Sequence, residues 1–243
     1  MSELLLVENR GAVRVLTMNR PEKRNALDTV LTRALLDALR AADADDSVNC
    51  VVLTGAGQGF CAGADMAEFK DLVPDKQHLV EARAELTMQL HRVFTRMSTP
   101  VVTAINGAAM GGGAGLALAG DLALMAESAK LGYPETRHGL VAAIVMANLV
   151  RQVGRKAAFE LVSLGEPIGA LRAAALGMVN RVIADTQLMD EALEFAGKLA
   201  GVSPAAMAAT KQLFHKAADL PLDEALEEGR QANIAMRGLY AKR

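Results

Sequence analysis

Two glycine-rich stretches decide how this chain folds: GFCAGADM at residues 59–66 and INGAAMGGGAGLALAGD at residues 105–121. Each follows a short apolar run containing β-branched residues, residues 50–54 before the first and residues 101–105 before the second. Each then passes into small residues that favour a helix. This pattern predicts two strand-to-helix turns at which backbone N–H groups are exposed and few side chains obstruct a ligand. Two such turns are able to hold a developing oxyanion.

Composition limits the class of protein. A chain of 243 residues fits one large domain, or a main domain with a small appendage. Apolar residues make up 51% and aromatic residues only 3%, which predicts a core of small aliphatic side chains. A net charge of -2 and a pI near 6.1 favour neither nucleic acid nor a membrane surface as a partner. Cys50 and Cys61 lack metal-ligand spacing, so we expect both to be buried and unbridged.

The first residues and the lengths of the apolar runs bear on localisation. No apolar run reaches the ~18 residues expected of a membrane-spanning helix. The first residues lack the basic and apolar regions of a secretory signal. We therefore expect a cytoplasmic protein with no membrane partner.

The order of predicted elements indicates an α/β protein built from repeated units. Strands are predicted at residues 4–8, 13–18, 50–54, 101–105, 122–126 and 178–183. Helices are predicted from a cap at Asp28 to about residue 42, at residues 77–97 and at residues 141–153, and from residue 155 the pattern is helical apart from the strand at residues 178–183. We divide the chain into a core at residues 1–185 and a helical region at residues 186–243, whose apolar positions need a partner surface.

Nucleotide-binding motifs do not fit the glycine stretches. In a dinucleotide fingerprint the third glycine would fall at Phe60 in the first stretch and at Leu116 in the second. The phosphate-binding P-loop fails because Gly113 stands where a lysine is required. A serine nucleophile elbow and a His-Glu-x-x-His zinc motif are both absent from the sequence. The alternative to a ligand-binding role is that both glycine stretches are turns with a purely structural role.

Taken together, the motifs resemble one family. The resemblance is close over residues 13–183 and weaker over the C-terminal helices. The chain resembles the crotonase superfamily, the enoyl-CoA hydratase/isomerase family, in the order and spacing of four motifs: Asn19-Arg20-Pro21-x-x-x-Asn25-Ala26-Leu27, Phe60-Cys61-Ala62-Gly63-Ala64-Asp65, Asn106-Gly107-x-x-x-Gly111-Gly112-Gly113 and Pro134-Glu135.

The resemblance implies a fold, a ligand and an assembly. The fold would be a crotonase-like spiral of ββα repeats with a helical C-terminal trimerisation region, giving a homotrimer or a dimer of trimers. The ligand would be an acyl-CoA thioester, with no metal and no cofactor beyond the coenzyme A of the substrate. The residues implied in binding it are Lys23, Arg24, Ala26, Ala62, Asp65, Met66 and Gly111.

The resemblance also assigns chemical roles. The backbone N–H groups of Ala64 and Gly112 would be the oxyanion donors, and Glu135 the acid/base. The residues themselves agree for Gly112, because it begins a predicted helix whose unpaired N–H groups and dipole favour negative charge. Partial burial of Glu135 at a strand end would raise its pKa toward that of a useful base.

One position departs from the family pattern. Family hydratases carry a first glutamate three residues after the Gly112 position, and this chain has Gly115 there. Asp121 lies almost two turns further on and is interpreted as structural. We expect an empty volume at Gly115. A single glutamate suffices for Δ3-to-Δ2 enoyl-CoA isomerisation, which is the preferred function. Enoyl-CoA hydration and a non-catalytic acyl-CoA-binding protein are the alternatives.

The remaining candidates are weaker. His138 lies three residues after Glu135 and is able to reach the site, although a structural or exposed histidine is the alternative. We expect the other three histidines to face solvent or to pack: His78, His91 and His215. The family's basic, aromatic-containing C-terminal tail is shortened here, and Tyr240 and Lys242 are candidates to replace its coenzyme A contacts.

Overall fold

A computed structural model of the chain describes residues 4–70 and 72–240. The strands are β1 Leu5–Arg10, β2 Val13–Met18, β3 Cys50–Gly55, β4 Gly59–Cys61, β5 Val101–Ile105, β6 Ala108–Met110, β7 Leu122–Ala126, β8 Lys130–Gly132, β9 Ile168–Gly169 and β10 Arg181–Ile183. The helices are α1 Thr29–Asp43, α2 Gln77–Arg96, α3 Gly112–Ala119, α4 Ala143–Leu164, α5 Ala170–Ala175, α6 Leu188–Ala200, α7 Pro204–Ala218 and α8 Leu222–Tyr240.

The strands form two sheets. The larger has six strands in the order β1-β2-β3-β5-β7-β10, and the smaller has four in the order β4-β6-β8-β9. In the larger sheet β1 and β2 form an antiparallel hairpin, and every other neighbouring pair is parallel. Every residue of β3 and β5 is buried, as expected for central strands covered on both faces.

The two sheets arise from one repeated unit. A long strand in the larger sheet is followed by a short strand in the smaller sheet and then by a helix, as in β5, β6 and α3. The same order recurs in β3, β4 and α2 and in β7, β8 and α4. This arrangement confirms the predicted α/β fold of ββα repeats. The short strands were not predicted, because two or three residues are too few to show the alternation that marks a strand.

One helix and one strand need comment. The predicted helix end near residue 153 is confirmed, because Gly154 has the non-helical angles φ +75° and ψ 171° and kinks α4 there, and the predicted helical pattern after residue 155 continues α4 to Leu164. The bounds of one strand differ. Strand β10 begins at Arg181 rather than at residue 178. Before it, Asn180 bonds to Ala123 twice: its backbone N–H donates to the Ala123 carbonyl at 2.8 Å, and its side-chain oxygen accepts the Ala123 N–H at 2.8 Å. The side-chain bond takes the place of a second backbone bond.

Helix α1 follows its sequence signals. The Asp28 carboxylate accepts a hydrogen bond from the Leu31 N–H at 2.7 Å, which confirms the predicted cap. Leu35 and Leu39 are fully buried on the predicted apolar face. Cys50 and Cys61 are buried and free, also as predicted.

The C-terminal helices differ in how they pack. Helix α6 lies against the larger sheet and buries Leu188, Ala192 and Ala196. Helices α7 and α8 pack on each other and leave Phe214 and Leu226 exposed. No helix in the described part of the chain is long and apolar enough to cross a membrane.

Candidate active site

The turn between β6 and α3 sets one side of the candidate site. Gly111 has φ +52° and ψ -118°, a conformation that L side chains rarely adopt, and this turns the chain so that α3 starts at Gly112. A Cβ at Gly113 would lie 2.1 Å from the Cys61 carbonyl oxygen. Only glycine therefore lets α3 approach β4 this closely, which brings the two glycine-rich stretches together.

Ala64 lies on the opposite side, in a short extended segment. The Leu27 N–H donates to the Gly63 carbonyl at 2.7 Å, and the Asp65 N–H donates to the Leu27 carbonyl at 3.0 Å. Because these bonds engage the residues on either side of Ala64, its own N–H points away from Leu27. The Ala64 nitrogen is 3.8 Å from the position a Cβ would take at Gly112.

The N–H groups of Ala64 and Gly112 are both available to a ligand. Within the residues the structure describes, neither N–H has a hydrogen-bond acceptor in the protein. Gly112 is the first residue of α3, so its N–H is one of the orphan donors at a helix N-terminus. The structure thus brings together the two predicted oxyanion donors.

Arg20 holds the Ala64 segment in place. Its Nη1 donates to the Ala26 carbonyl at 2.6 Å and lies 3.1 Å from the Asp28 carboxylate, while Nη2 donates to Asp65 at 2.9 Å. Burial would raise the pKa of the Asp65 carboxyl, but the Ala67 N–H and Arg20 outweigh it and lower that pKa below 3.8. Asp65 stays ionised and bonded to Arg20, so its carboxylate is engaged inside the protein.

Glu135 lies on a short 3-10 helix, Pro134–His138, that follows β8. Its Oε1 is 2.6 Å from the position a Cβ would take at Gly111, so any other residue there would displace the carboxylate. Its Oε2 is closed off from solvent and has no hydrogen-bond partner among the described residues. Burial raises the pKa of Glu135 above 4.5, opposed by its own backbone N–H and by His138. These properties suit a base that takes a proton from carbon.

A cavity of about 260 Å³ extends from the two N–H groups along α2, and we name it the α2 cavity. Its wall is mostly apolar, which suits an aliphatic group. The lining residues are Leu27, Thr32, Ala64, Glu68, Phe69, Leu72, Val80, Arg83, Ala84, Thr87, Leu90, His91 and Gly112.

The predicted empty volume at Gly115 does not exist. A Cβ at Gly115 would lie 2.3 Å from Val145 Cγ1 and 2.8 Å from His91 Cε1. The expectation was wrong because α2 and α4 both pack against this face of α3 and fill the space that the glycine leaves. The imidazole of His91 and the isopropyl group of Val145 therefore occupy the space that a second carboxylate would need.

Most of the residues implied in binding coenzyme A lie on the Ala64 side of the site, whereas Gly111 lies on the α3 side. Lys23 and Arg24 are exposed, and the Arg24 carbonyl accepts the Ala62 N–H at 2.9 Å. Met66 is also exposed, whereas Ala26 is buried and uses its carbonyl to bind Arg20. Lys242 and the Tyr240 side chain, which were candidates for coenzyme A contacts, both lie outside what the structure describes.

The four histidines take different positions. His138 is exposed beside Glu135, and His78 is exposed on α2. The Nε2 of His215 lies 3.3 Å from Asp121. His91 is buried in the wall of the α2 cavity. Of the two predictions for His91, solvent-facing or packing, the second is confirmed, because it lies with Leu90 and Phe94 on the buried face of α2.

Asp121 lies beyond the other end of α3 and has a structural environment, as predicted. One oxygen accepts the Val101 N–H and the Lys211 Nζ, both at 2.8 Å, and the other faces His215. Lys211 is buried and also donates to the Thr99 carbonyl at 2.9 Å. In the described residues no three His, Cys, Asp or Glu side chains are grouped to hold a metal ion.

Comparisons with known proteins agree with this site. The family model for enoyl-CoA hydratase/isomerase matches residues 8–238. A relative from Thermus thermophilus, provisionally named an enoyl-CoA hydratase, is 41% identical over 230 residues, which cover 94% of this chain and 90% of the relative. The 2,3-dehydroadipyl-CoA hydratase of Escherichia coli is 37% identical, with 95% of this chain and 89% of the relative covered.

A solved structure gives the same fold. The crystal structure of an enoyl-CoA hydratase from Mycobacterium smegmatis matches with a TM-score of 0.91 at 32% identity, covering 96% of this chain and 91% of that chain. The chain therefore belongs to the enoyl-CoA hydratase/isomerase family and is a crotonase-fold enzyme.

Proposed function

We propose that this protein isomerises a 3-enoyl-CoA to the conjugated 2-enoyl-CoA, with Glu135 as the acid/base. The supporting observation is the Glu135 carboxylate, whose Oε2 has no partner among the described residues, beside two backbone donors that have no acceptor among them. The thioester oxygen accepts from the N–H groups of Ala64 and Gly112. Glu135 removes a proton from C2, and the C3–C4 double bond shifts as a dienolate forms. Glu135 then returns that proton to C4, so no atom is gained or lost.

The surroundings of Gly115 favour this reaction over hydration. Adding water across a double bond needs one group to activate the water and another to manage the proton at carbon. Val145 and His91 occupy the space in which a second carboxylate would stand. The change Gly115→Glu is therefore expected to force both neighbours to move, and it does not restore hydration by itself.

Hydration of a 2-enoyl-CoA is the second candidate, for one specific reason. His91 lies in the wall of the α2 cavity, where a side chain at position 115 would stand. Neither of its nitrogens has a partner among the described residues. An imidazole there is able to hold a water molecule. Relatives named as hydratases are consistent with this candidate. A non-catalytic acyl-CoA-binding protein is less well supported, because pure binding does not require the unpaired Glu135.

The deciding experiment compares the two reactions in one preparation. The enzyme is incubated with 3-hexenoyl-CoA and, separately, with 2-hexenoyl-CoA, and the products are separated by chromatography and identified by mass. We expect kcat/KM for isomerisation to exceed that for hydration. A kcat/KM for hydration above that for isomerisation would reject the isomerase proposal and would support enoyl-CoA hydration as the function.

The assembly proposal rests on the C-terminal helices. Of the apolar residues in this region, Leu193, Phe195 and Leu199 pack against the core, but Phe214 and Ile234 on α7 and α8 stay exposed. Exposed apolar side chains of this size favour a protein partner surface. We infer a homotrimer or a dimer of trimers. Light scattering that gives the mass of a single 25.6 kDa chain at micromolar concentration would contradict this.

Contact with coenzyme A is proposed for the exposed loop before α1. Arg24 bonds to Ala62 through its backbone, and the positive charge of Lys23 acts on Asp65 next to Ala64, so these two exposed cations suit the phosphates of the ligand. Replacing both by alanine is expected to raise KM and leave kcat within a few-fold of wild type. An unchanged KM at low salt would remove these two residues from the binding site.

A further inference from the structure

Tyr133 carries a buried hydroxyl that the fold does not use. The residue is 0% exposed and belongs to the apolar core. Among the described residues its hydroxyl has no hydrogen-bond partner. Leaving a buried donor unpaired lowers stability, and a phenylalanine would fill nearly the same space without that loss. The hydroxyl therefore calls for a reason other than the packing of the core.

The backbone places Tyr133 beside the turn that carries the site. Strands β6 and β8 run parallel and pair Met110 with Gly132, and the Gly111 N–H donates to the Gly132 carbonyl at 2.8 Å. Gly111 and Tyr133 thus leave the two strands side by side. The Glu135 carboxylate lies against Gly111 as well, with Oε1 2.6 Å from the position a Cβ would take there. Tyr133 and Glu135 are therefore both neighbours of this glycine.

The two oxygens of the Glu135 carboxylate have different surroundings. Oε1 lies over Gly111, at the turn where α3 begins with Gly112. Oε2 is closed off from solvent and has no partner among the described residues, and the same is true of the Tyr133 hydroxyl. These two unsatisfied groups are complementary, because an ionised carboxylate only accepts hydrogen bonds and a phenol is able to donate one.

The charge of Glu135 acts on the Tyr133 hydroxyl. Burial raises the pKa of Tyr133, and the Glu135 carboxylate raises it further, because its negative charge would repel a phenolate. The hydroxyl thus stays protonated and remains a donor at neutral pH. Hydrogen bonds that serve catalysis are often long in the absence of substrate and shorten in its complex.

Few other groups titrate near Glu135. Burial raises its pKa, and its own backbone N–H and His138 oppose this rise. Arg137, on the same 3-10 helix, pairs with Glu166 at 3.1 Å. Helix α3 and the first two turns of α4 contain no titratable side chain. His91, in the wall of the α2 cavity, is neutral near pH 7, since burial lowers its pKa to about 4.

We propose that Tyr133 is a positioning residue for Glu135: with the acyl-CoA bound, its hydroxyl donates to Oε2 and leaves Oε1 to carry the proton. This rests on the proposed function, in which Glu135 takes a proton from C2 and returns it to C4. One base then serves two carbon atoms, so a fixed oxygen keeps the working oxygen in place for both. A hydrogen bond to the charged form also limits the rise in the Glu135 pKa that burial causes.

The direct test follows the Tyr133 hydroxyl without turnover. The chain has two tyrosines, so ¹³Cζ-labelled tyrosine gives two NMR resonances, and that of Tyr133 is the one absent from Tyr133→Phe. With hexanoyl-CoA bound, we expect this resonance to move as Glu135 ionises, with a midpoint above pH 4.5. Glu135→Gln is expected to abolish the movement. His91 and His138 remain in that variant, so any movement that they cause would persist there.

Kinetics supply a second measurement. Tyr133→Phe is expected to reduce kcat on 3-hexenoyl-CoA by about tenfold, and to leave the Kd of hexanoyl-CoA within about twofold, because the base is misplaced and the ligand contacts are not. The acid limb of kcat/KM is expected to shift to higher pH, because ionised Glu135 loses a hydrogen bond that favours it. The unfolding temperature of the free protein is not expected to fall, since the removed hydroxyl has no partner among the described residues.

Thr103→Val is the matched control. Thr103 is also buried, but its hydroxyl donates to the Ala117 carbonyl of α3 at 2.8 Å. Its removal is expected to lower the unfolding temperature and to leave kcat and the pH profile unchanged. This is the opposite of the pattern expected for Tyr133→Phe, so the comparison separates a positioning role from a structural one.

The proposal is overturned if the Tyr133 resonance does not follow the ionisation of Glu135, whatever reaction the enzyme catalyses. It is also overturned if Tyr133→Phe keeps the wild-type kcat and pH profile. If Tyr133→Phe does not fold, the resonance that remains in Tyr240→Phe identifies Tyr133, and the NMR titration decides alone. A coupled resonance in a protein without isomerase activity would support the contact between Tyr133 and Glu135 and would reject the proposed function.

Discussion

The two ends of α3 are both surrounded by buried polar groups, but only one end leaves them unpaired. Beyond its C-terminal end, Asp121 is bonded to Lys211, to His215 and to the Val101 N–H. Around its N-terminal half, Glu135 Oε2 and both nitrogens of His91 have no partner within the described residues. The hydroxyl of Tyr133, two residues before Glu135, is also buried and unpaired there.

This difference separates structure from chemistry. A buried polar group that is fully paired holds elements together, and Lys211 ties α7 to the end of the sheet in this way. A buried polar group left unpaired weakens the fold unless a ligand uses it. We therefore place the chemistry at the N-terminal half of α3 and a structural lock at its C-terminal end. The predictions below test this division.

The largest effect is expected from Glu135→Gln. The amide has nearly the shape of the carboxylate but does not accept a proton, so kcat on a 3-enoyl-CoA is expected to fall by about 10²- to 10⁴-fold. Affinity for a saturated acyl-CoA is expected to stay within a few-fold, as measured by calorimetry. Activity within a few-fold of wild type would exclude Glu135 as the base and would turn attention to His138.

At the other end, Asp121→Asn is expected to affect stability instead. It leaves Lys211, which is buried, without its counter-charge, and breaking a buried pair in this way destabilises by about 3–5 kcal/mol. Thermal unfolding is the measurement, with kcat of the folded protein determined well below the transition. Replacing both partners, as Asp121→Leu with Lys211→Met, is expected to recover most of the loss. If kcat of folded Asp121→Asn fell as strongly as kcat of Glu135→Gln, the assignment of a purely structural role to this end of α3 would be wrong.

Gly111→Ala is expected to have an intermediate effect on catalysis. The added Cβ would lie 2.6 Å from Glu135 Oε1 and must displace the carboxylate, and a misplacement of about 1 Å costs on the order of 10²-fold in rate. Gly11→Ala is the matched control, because Gly11 has φ +60° and nothing within 4 Å of its Cβ position. Gly111→Ala is expected to lose more stability than Gly11→Ala because of this contact, and only Gly111→Ala is expected to lose kcat.

The smallest effect is expected from a change of pH. Activity and stability are expected to be lost over different pH ranges, and these ranges distinguish the two ends of α3. Glu135 must be ionised to act as a base, and burial raises its pKa, so kcat/KM is expected to fall with decreasing pH at values above 4.5. Burial alone would raise the pKa of Asp121, but bonds from His215 and Lys211 lower it below 3.8. Its contribution to stability is thus present above pH 3.8 and is lost as pH falls through the lowered value. Unfolding that coincides with the loss of activity would contradict this separation.

Much of the fold followed from the sequence, because its signals were local. The cap at Asp28, the apolar face of α1 and the long parallel strands each have a pattern that a few neighbouring residues carry. The short strands of the smaller sheet depend on tertiary contacts that no local pattern encodes. The same holds for the bounds of β10.

The candidate site divides in a similar way. Ala64, Gly112 and Glu135 were named from motifs, and the structure brings all three together around Gly111. The filling of the Gly115 volume by Val145 and His91 was not foreseen, because these residues come from α4 and α2, 30 and 24 positions away in sequence. The role of Arg20 in holding Ala64 was likewise invisible, since it depends on bonds to three separate partners.

The most direct test of the central claim follows one proton. A 3-hexenoyl-CoA deuterated at C2 is converted by the wild-type enzyme, and the product is analysed for deuterium at C4. Because Glu135 is partly buried and its Oε2 is closed off from solvent, we predict that a substantial fraction of the product carries deuterium at C4. Glu135→Gln is predicted to give no product in the same time. A wild-type product with hydrogen from water at C4 in every molecule, together with turnover by Glu135→Gln, would contradict the account.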